Sequence, residues 1–142
     1  MIDFLAKFKT QIRDYLTKLP PLSNEYKKLI SEYLYYITII FCIYIVYSLI
    51  FATRLQFFNN WLLNFIDFTT MIIVLIILTK SLVKLKEKRQ QGLDSLVNAG
   101  IILTLKESII AFILLDFIGI ITPVIVFSVF YYLIIQIEEF YY

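Results

Sequence analysis

The chain has 142 residues, of which 61% are hydrophobic and 17% are charged, and its formal net charge is +2. Histidine is absent and Cys42 is the single cysteine. Zinc or haem sites that use histidine, a histidine-based catalytic triad and an internal disulfide are therefore excluded. The glycine-rich phosphate loops GxGxxG and GxxxxGKS/T do not occur either, and the sequence predicts no cofactor.

The apolar residues are collected into blocks of about twenty. A soluble domain has about 45–50% apolar and about 25% charged residues, so this chain is more apolar than such a domain. A helix of about twenty residues crosses a hydrocarbon layer of about 30 Å at about 1.5 Å per residue. The composition therefore predicts an all-α fold, an integral membrane four-helix bundle preceded by an N-terminal amphipathic interfacial helix.

Residues 1–32 form the polar N-terminal segment, which we expect to be cytoplasmic or interfacial. Apolar residues recur every three or four positions between lysines and arginines, which indicates a basic amphipathic helix. Pro20 and Pro21 end this helix because proline lacks the amide proton. Such a helix beside membrane spans lies in the interface; a solvated or partner-packed helix is the alternative. The apolar stripe consists of Leu5, Phe8, Ile12, Leu16 and Leu19.

Residues 33–142 form the predicted transmembrane bundle. Tyrosine, tryptophan and phenylalanine lie near the ends of its apolar blocks, where amphipathic rings prefer to be. A three-span alternative has 93–105 on the surface and 109–137 as one long helix. Gly119 and Pro123 would interrupt that helix, which favours four spans. The four predicted spans cover residues 33–52, 61–79, 93–115 and 117–137.

The basic residues predict the orientation. Six lie in the N-terminal segment, five in the predicted 80–92 loop and one, Arg54, in the 53–60 loop. Short basic loops remain in the cytoplasm, so both termini and the 80–92 loop are predicted there. The same loop could bind anionic lipid headgroups, and its basic residues could equally be plain topology signals. These residues are Lys80, Lys84, Lys86, Lys88 and Arg89.

Two adjacent charges, Lys106 and Glu107, interrupt the apolar run of span 3. Thirteen Leu, Ile, Val and Phe residues in 93–115 each contribute about −0.3 to −0.6 kcal/mol to insertion, together about −6 kcal/mol. Two charges near the centre cost about 2.5 to 3.5 kcal/mol each, which offsets nearly all of this gain. Insertion of span 3 is therefore expected to depend on neighbouring helices that accept the charges.

Asp67 in span 2 is the predicted partner of Lys106. It shares one helical face with Asn60 and Asn64, and antiparallel spans bring positions 67 and 106 to similar depth. We expect an Asp67–Lys106 ion pair flanked by the two amides. Small residues of span 3, Ser95, Ala99 and Gly100, are expected to permit close approach to span 2.

Glu107 lies about 100° around the helix from Lys106, so we expect it to face span 1, span 4 or another subunit. Three roles stay open for these charges: helix assembly, a path for an ion or solute, and snorkelling to the outer interface. In span 4, Ser128, Tyr132 and Gln136 at i, i+4 and i+8 are candidates for hydrogen bonds to other segments.

Three stretches carry a resemblance to a known group: "LTKLPPL", the lysine-rich loop followed by "GLDSLVNAG", and "FYYLIIQIEEFYY". Together they resemble a group of small, uncharacterised four-span membrane proteins from reduced-genome bacteria of the candidate phyla. The chain departs from the group at Leu93, where tryptophan is usual, and in its charged third span. The resemblance implies a bacterial inner membrane protein and brings no activity or functional residues with it.

Catalysis is not expected, because the GxSG, GxGD and HExxH motifs of intramembrane and metal proteases do not occur. The leading interpretation is a protein that acts by helix association, as an accessory subunit, a scaffold or a self-assembling oligomer. Its expected partners are the bilayer, anionic lipids, and a second copy or another membrane protein, with no nucleic acid. The alternative is a subunit of a small oligomeric channel or transporter with a polar path lined by Asp67, Lys106 and Glu107.

Overall fold

A computed structural model of the chain describes residues 10–52 and 61–142. Within these ranges the fold is all-α and has no strand. A short helical stretch at 10–16 precedes four long helices, and each long helix is apolar and long enough to cross a membrane. The fold class is therefore the predicted four-helix membrane bundle. The helices are α1 (Asn24–Ala52), α2 (Trp61–Lys86), α3 (Gln90–Ile113) and α4 (Phe117–Ile137), followed by a 3₁₀ turn at Glu138–Phe140.

The helices extend beyond the apolar blocks at the basic end of the bundle. Helix α1 begins at Asn24, directly after Ser23, whose carbonyl accepts from the Lys27 amide. Helix α2 continues to Lys86 and α3 begins at Gln90. The predicted 80–92 loop is therefore wrong: only 87–89 connect the two helices, because lysine, leucine and glutamine are good helix formers even outside the lipid. The three-span alternative is also wrong, since 114–116 separate α3 from α4.

Both tight connections use the same helix-ending geometry. Lys88 after α2 and Leu115 after α3 have positive φ angles of 54° and 57°. The Arg89 amide donates to the Lys84 carbonyl, and the Asp116 amide donates to the Ala111 carbonyl. A left-handed residue followed by this bond defines the Schellman motif, in which glycine is usual. Both reversals therefore carry the steric cost of a side chain in the left-handed region.

Helix α3 is the central helix. It has its most extensive contacts with α2 and α4, whereas α1 contacts α2 and, least extensively, α4. In its most apolar window 39% of residues are buried, against 17–22% in the other three helices. Gly92 permits close contact with α2, because a Cβ there would lie 2.9 Å from the Leu85 amide nitrogen. Gly100 instead faces Phe127 of α4, so its predicted role against span 2 is wrong.

The bundle is closed at one end only. We call the end with the start of α1, the 87–89 turn and residues 138–142 the tail end, and the end with Trp61 and residues 114–116 the open end. The main core runs from the tail end past the middle of the helices. At the open end no residue of 46–51 in α1 or of 117–126 in α4 is buried. Helix α3 keeps contacts with α2 and with α4 toward the open end, through Lys106 and Ser108 respectively.

Lys88 holds the tail end together. Its Nζ donates to the Ser31 carbonyl and, at 2.7 Å, to the Ser31 Oγ, and it lies 4.9 Å from the centre of the Tyr141 ring. Its carbonyl accepts from the Tyr142 amide. Burial lowers the pKa of the Lys88 amine, and the negative charge of Glu32 partly opposes this effect. This one residue therefore connects α1, the turn and the C-terminal residues.

Two acidic residues near the C-terminus add ion pairs to the tail end. Arg13 Nη2 lies 2.6 Å from Glu138 Oε2, and Lys27 Nζ lies 3.1 Å from Glu139 Oε1. The Gln90 side-chain amide also donates to Glu138, at 2.9 Å. These exposed pairs contribute about 0–1 kcal/mol each, so their main effect is to orient the segments.

The N-terminal segment packs onto the bundle. Ile12 and Leu16 of the predicted amphipathic stripe are partly buried against the main core. Tyr132 donates to the Pro20 carbonyl, and the Leu22 amide donates to Gln136 Oε1 at 3.1 Å. Two side chains of the predicted polar series in span 4 therefore hold residues 20–22. Leu5 and Phe8 of the stripe lie outside the described residues.

Replacing Leu115 with glycine should stabilise the protein by about 1 kcal/mol, because glycine removes the left-handed strain. The 76% exposed side chain contributes little packing. Chemical unfolding in detergent micelles measures the change. Leu114→Gly is the matched control: Leu114 has a φ of −83° and should lose about 0.5–1 kcal/mol as glycine. Equal effects of both substitutions would contradict the strain argument.

Replacing Lys88 with methionine should destabilise the protein by about 1–3 kcal/mol. The substitution leaves the carbonyl of Ser31, a residue only 2% exposed, without the donor Nζ. Thermal unfolding of the purified protein measures the loss. Lys86→Met, on the exposed surface of the last turn of α2, is the control and should change stability by less than about 0.5 kcal/mol.

Candidate functional site

The candidate site lies where α2 and α3 pack together near the open end. Asp67 is six residues after the start of α2 and Lys106 is seven before the end of α3, about 9 and about 10 Å from those ends. The tight 87–89 turn and the contact of Gly92 with Leu85 hold the two helices in this antiparallel register. The backbone therefore brings positions 67 and 106 to the same level.

The Lys106 ammonium group contacts two carboxylates. Its Nζ lies 2.6 Å from Asp67 Oδ1 and 2.7 Å from Glu107 Oε1. The contact with Asp67 is the one that the spacing predicts. The sequence predicts Glu107 about 100° around the helix, facing span 1, span 4 or another subunit, and it does not predict this second contact. The contact forms because both side chains are long enough to bridge the angle between neighbouring positions. We call Asp67, Lys106 and Glu107 the charged cluster.

The three members of the charged cluster differ in exposure. The Lys106 side chain is 3% exposed, that of Asp67 26% and that of Glu107 50%. Lys106 is thus enclosed, whereas the carboxylates reach the surface of the described structure. If all three are ionised, the cluster carries one surplus negative charge.

Glu107 projects toward the space between α2 and α4. Lys106, one position earlier, contacts α2, and Ser108, one position later, donates to the Ile120 carbonyl of α4 at 3.4 Å. Ala111 also faces α4, since a Cβ added at Gly119 would lie 3.0 Å from the Ala111 Cβ. At 100° per residue, position 107 lies between these two contact faces. Its half exposure therefore results from the missing closure of the bundle at the open end.

Three buried apolar residues lie within about one and a half helical turns of Asp67 or Lys106 along α2 and α3. Leu63, Ile110 and Ala111 are 2%, 5% and 7% exposed and lie outside the main core. Apolar surroundings of this kind strengthen the attraction between opposite charges and raise the cost of leaving a charge unpaired. Lys106 consequently needs its acidic partners to remain in this position.

The structure describes one of the two amides predicted to flank the ion pair, and it also places Asp116. Asn64 is partly buried one turn before Asp67. Asn60 lies outside the described residues. Asp116 accepts from the Gly119 amide at 3.0 Å and so caps the start of α4.

The five residues predicted to contact lipid headgroups divide into two groups. Lys88 donates to Ser31 and is partly buried, so its prediction as a headgroup ligand is wrong. Arg89 is paired with Glu87 at 2.6 Å. Lys80, Lys84 and Lys86 lie on the last turns of α2 and form no ion pair with other described residues. Three of the five therefore remain available to an anionic surface.

Sequence reasoning missed the tail-end contacts of Ser31, Glu138 and Tyr141. Burial raises the pKa of the Tyr141 phenol, and a hydrogen bond with the Ser31 side chain lowers it in part. The phenol also donates to the Ser31 carbonyl. The available signal was the acidic pair Glu138–Glu139 at the end of a chain whose N-terminal segment is basic. An even number of spans places the basic N-terminal segment and the acidic residues 138–139 on the same side of the bundle. Their opposite charges then predict a contact between them.

Two cavities in the described structure lie away from the charged cluster. One is lined by Gln11, Asp14, Tyr15 and Lys18, and the other lies between Arg13, Asp94, Tyr131 and Glu138. Comparison with protein families, with curated proteins and with solved structures finds no match for this chain. The function must therefore be inferred from the geometry and the charges of the site itself.

Replacing Lys106 with methionine should destabilise the protein by about 3 kcal/mol or more, because it leaves two carboxylates without their cation. Asp67→Asn should cost less, since Glu107 still pairs with the amine. Exchanging the charges, Asp67→Lys with Lys106→Asp, should recover most of the loss, as a lysine again lies between two carboxylates. Unfolding in detergent measures all variants. A double variant no more stable than Lys106→Met would contradict the pairing.

Proposed function

We propose that this chain acts by helix association in a membrane, as an accessory subunit, a scaffold or a self-assembled oligomer, without catalysis of its own. The observation that carries the proposal is the open end, where α1 and α4 leave the bundle unclosed around a polar cluster. A single-chain bundle with its function inside would be expected to pack along its full length. Near the cluster, α4 touches α3 through Ser108 and Ala111, but no residue of 46–51 in α1 or of 117–126 in α4 is fully buried.

Packing energetics support this proposal. Lipid tails are as apolar as leucine, so membrane helices associate through close packing and polar contacts. No residue among the first ten of α4 is fully buried, and Ile121 and Val124 in this stretch are 59% and 43% exposed. A partner helix at this surface would supply the missing contacts.

The proposed orientation places the tail end at the cytoplasmic face of a bacterial inner membrane, with both termini inside. The basic residues of α2 support this, because Lys80, Lys84 and Lys86 gather at that end. There they would also contact anionic lipid headgroups, at about 1 kcal/mol per residue. The resemblance to small four-span proteins of candidate-phyla bacteria agrees with this placement.

A second candidate function is a subunit of an oligomeric channel or transporter. The half-exposed Glu107, directed into the bundle, favours it, since acidic side chains in spans often line ion paths. Four helices are few for a complete transporter, so this candidate requires several subunits. Under this candidate Glu107→Gln should abolish flux while the protein still accumulates, because the Asp67–Lys106 pair that stabilises the bundle remains. Under association alone there is no flux for this variant to change.

The association proposal predicts an assembly heavier than the 16.9 kDa single chain. The full chain would be extracted from its native membrane into lipid nanodiscs and its mass measured by light scattering. Ile121→Trp, at an exposed position of the open end, should break the assembly without unfolding the chain. Val83→Trp is the matched control near the tail end: it is 62% exposed against 59% for Ile121. A single-chain mass at all concentrations would contradict the proposal.

A further inference from the structure

The geometry of the charged cluster points to the chemistry of the partner. We infer that the open end receives a membrane helix of a different protein that carries a lysine or arginine within its span, and that this cation pairs with Glu107. The inference rests on the proposed function, since it names the partner that the association would take. It follows from the net charge of the cluster, the exposure of Glu107 and the positions of the basic residues.

The first step is the charge count. One ammonium group, Lys106, faces two carboxylates at 2.6 and 2.7 Å. A lysine neutralises one carboxylate, so an ionised cluster retains one negative charge. A charge inside a bilayer is expensive unless it is paired. With both carboxylates ionised, charge complementarity favours one further positive group.

The second step is the place where that group can bind. Lys106 is enclosed, whereas the Glu107 side chain is 50% exposed and lies between the α2-facing and α4-facing positions of α3. No residue of 46–51 in α1 or of 117–126 in α4 is fully buried there. The surplus charge is thus accessible from the unfilled part of the bundle, at about 10 Å from the open end.

The third step concerns the basic residues that a second copy offers. The other basic residues of the described spans, Lys27, Lys28, Lys80, Lys84 and Lys86, all lie near the tail end. Among the described residues, the only basic one at the level of the cluster is Lys106, whose side chain is 3% exposed and already paired. The described part of a second copy therefore offers no accessible cation at this depth, which favours a chain of different sequence.

The inference can be tested with the full chain in phosphatidylcholine vesicles and a designed helix as probe. The probe is a helix of 21 residues, all leucine except for a lysine at the seventh position. Its binding is followed by energy transfer between a fluorescent label on the probe and one on the chain. The matched probes carry leucine or glutamate at that position. The lysine probe should bind about tenfold more tightly than the leucine probe, equivalent to about 1.4 kcal/mol.

Variants of Glu107 should change this preference in a defined order. Glu107→Gln should remove the advantage of the lysine probe, and Glu107→Asp should retain part of it. Glu107→Lys should instead favour the glutamate probe, which a merely structural effect would not produce. Equal binding of the lysine and leucine probes to the unaltered chain would overturn the inference.

Arg54 provides the decisive control. It belongs to the 53–60 connection, outside the described residues. The unaltered chain and the Arg54→Gln variant are compared. If only the variant prefers the lysine probe, then Arg54 neutralises Glu107 within the chain and the inference is wrong. The light-scattering experiment separates the two proposals: an assembly that persists in Glu107→Gln supports association and overturns the proposed charge pairing.

Discussion

The contact of Lys106 with Asp67 and Glu107 is the interaction on which the membrane placement of α3 depends. An unpaired ammonium group would offset about half of the insertion energy of that helix, and an unpaired acid the other half. Pairing lets the most buried helix of the bundle retain both charges. Since α3 contacts both α2 and α4 extensively, its position decides those of its two neighbours.

The two ends of the bundle have opposite characters. At the tail end, Lys88 and Glu138 connect the N-terminal segment, the 87–89 turn and the C-terminal residues through hydrogen bonds and ion pairs. At the open end no residue of 46–51 in α1 or of 117–126 in α4 is fully buried. The described structure is therefore held by polar contacts at one end and packed more loosely at the other, which is the asymmetry that the proposed association would use.

Several features could be predicted from the sequence because they follow from local rules. Span 4 agrees with α4 at both bounds, 117 and 137, because Asp116 caps its start and the apolar run ends near Ile137. The approach of Asp67 and Lys106 follows from helical periodicity and antiparallel depth. The 87–89 turn escaped prediction, since it uses Lys88 in the left-handed region while Gly92 lies inside α3.

The sequence by itself determined the class of the protein, the number of helices and the existence of a charged pair, because hydropathy and the 3.6-residue period act locally along the chain. Only the tertiary structure decided that Glu107 shares Lys106, that Lys88 is committed to Ser31, and that Gly100 faces α4. These contacts depend on side-chain reach and on which helices are neighbours. Both are properties of the packed bundle, and no single segment specifies them.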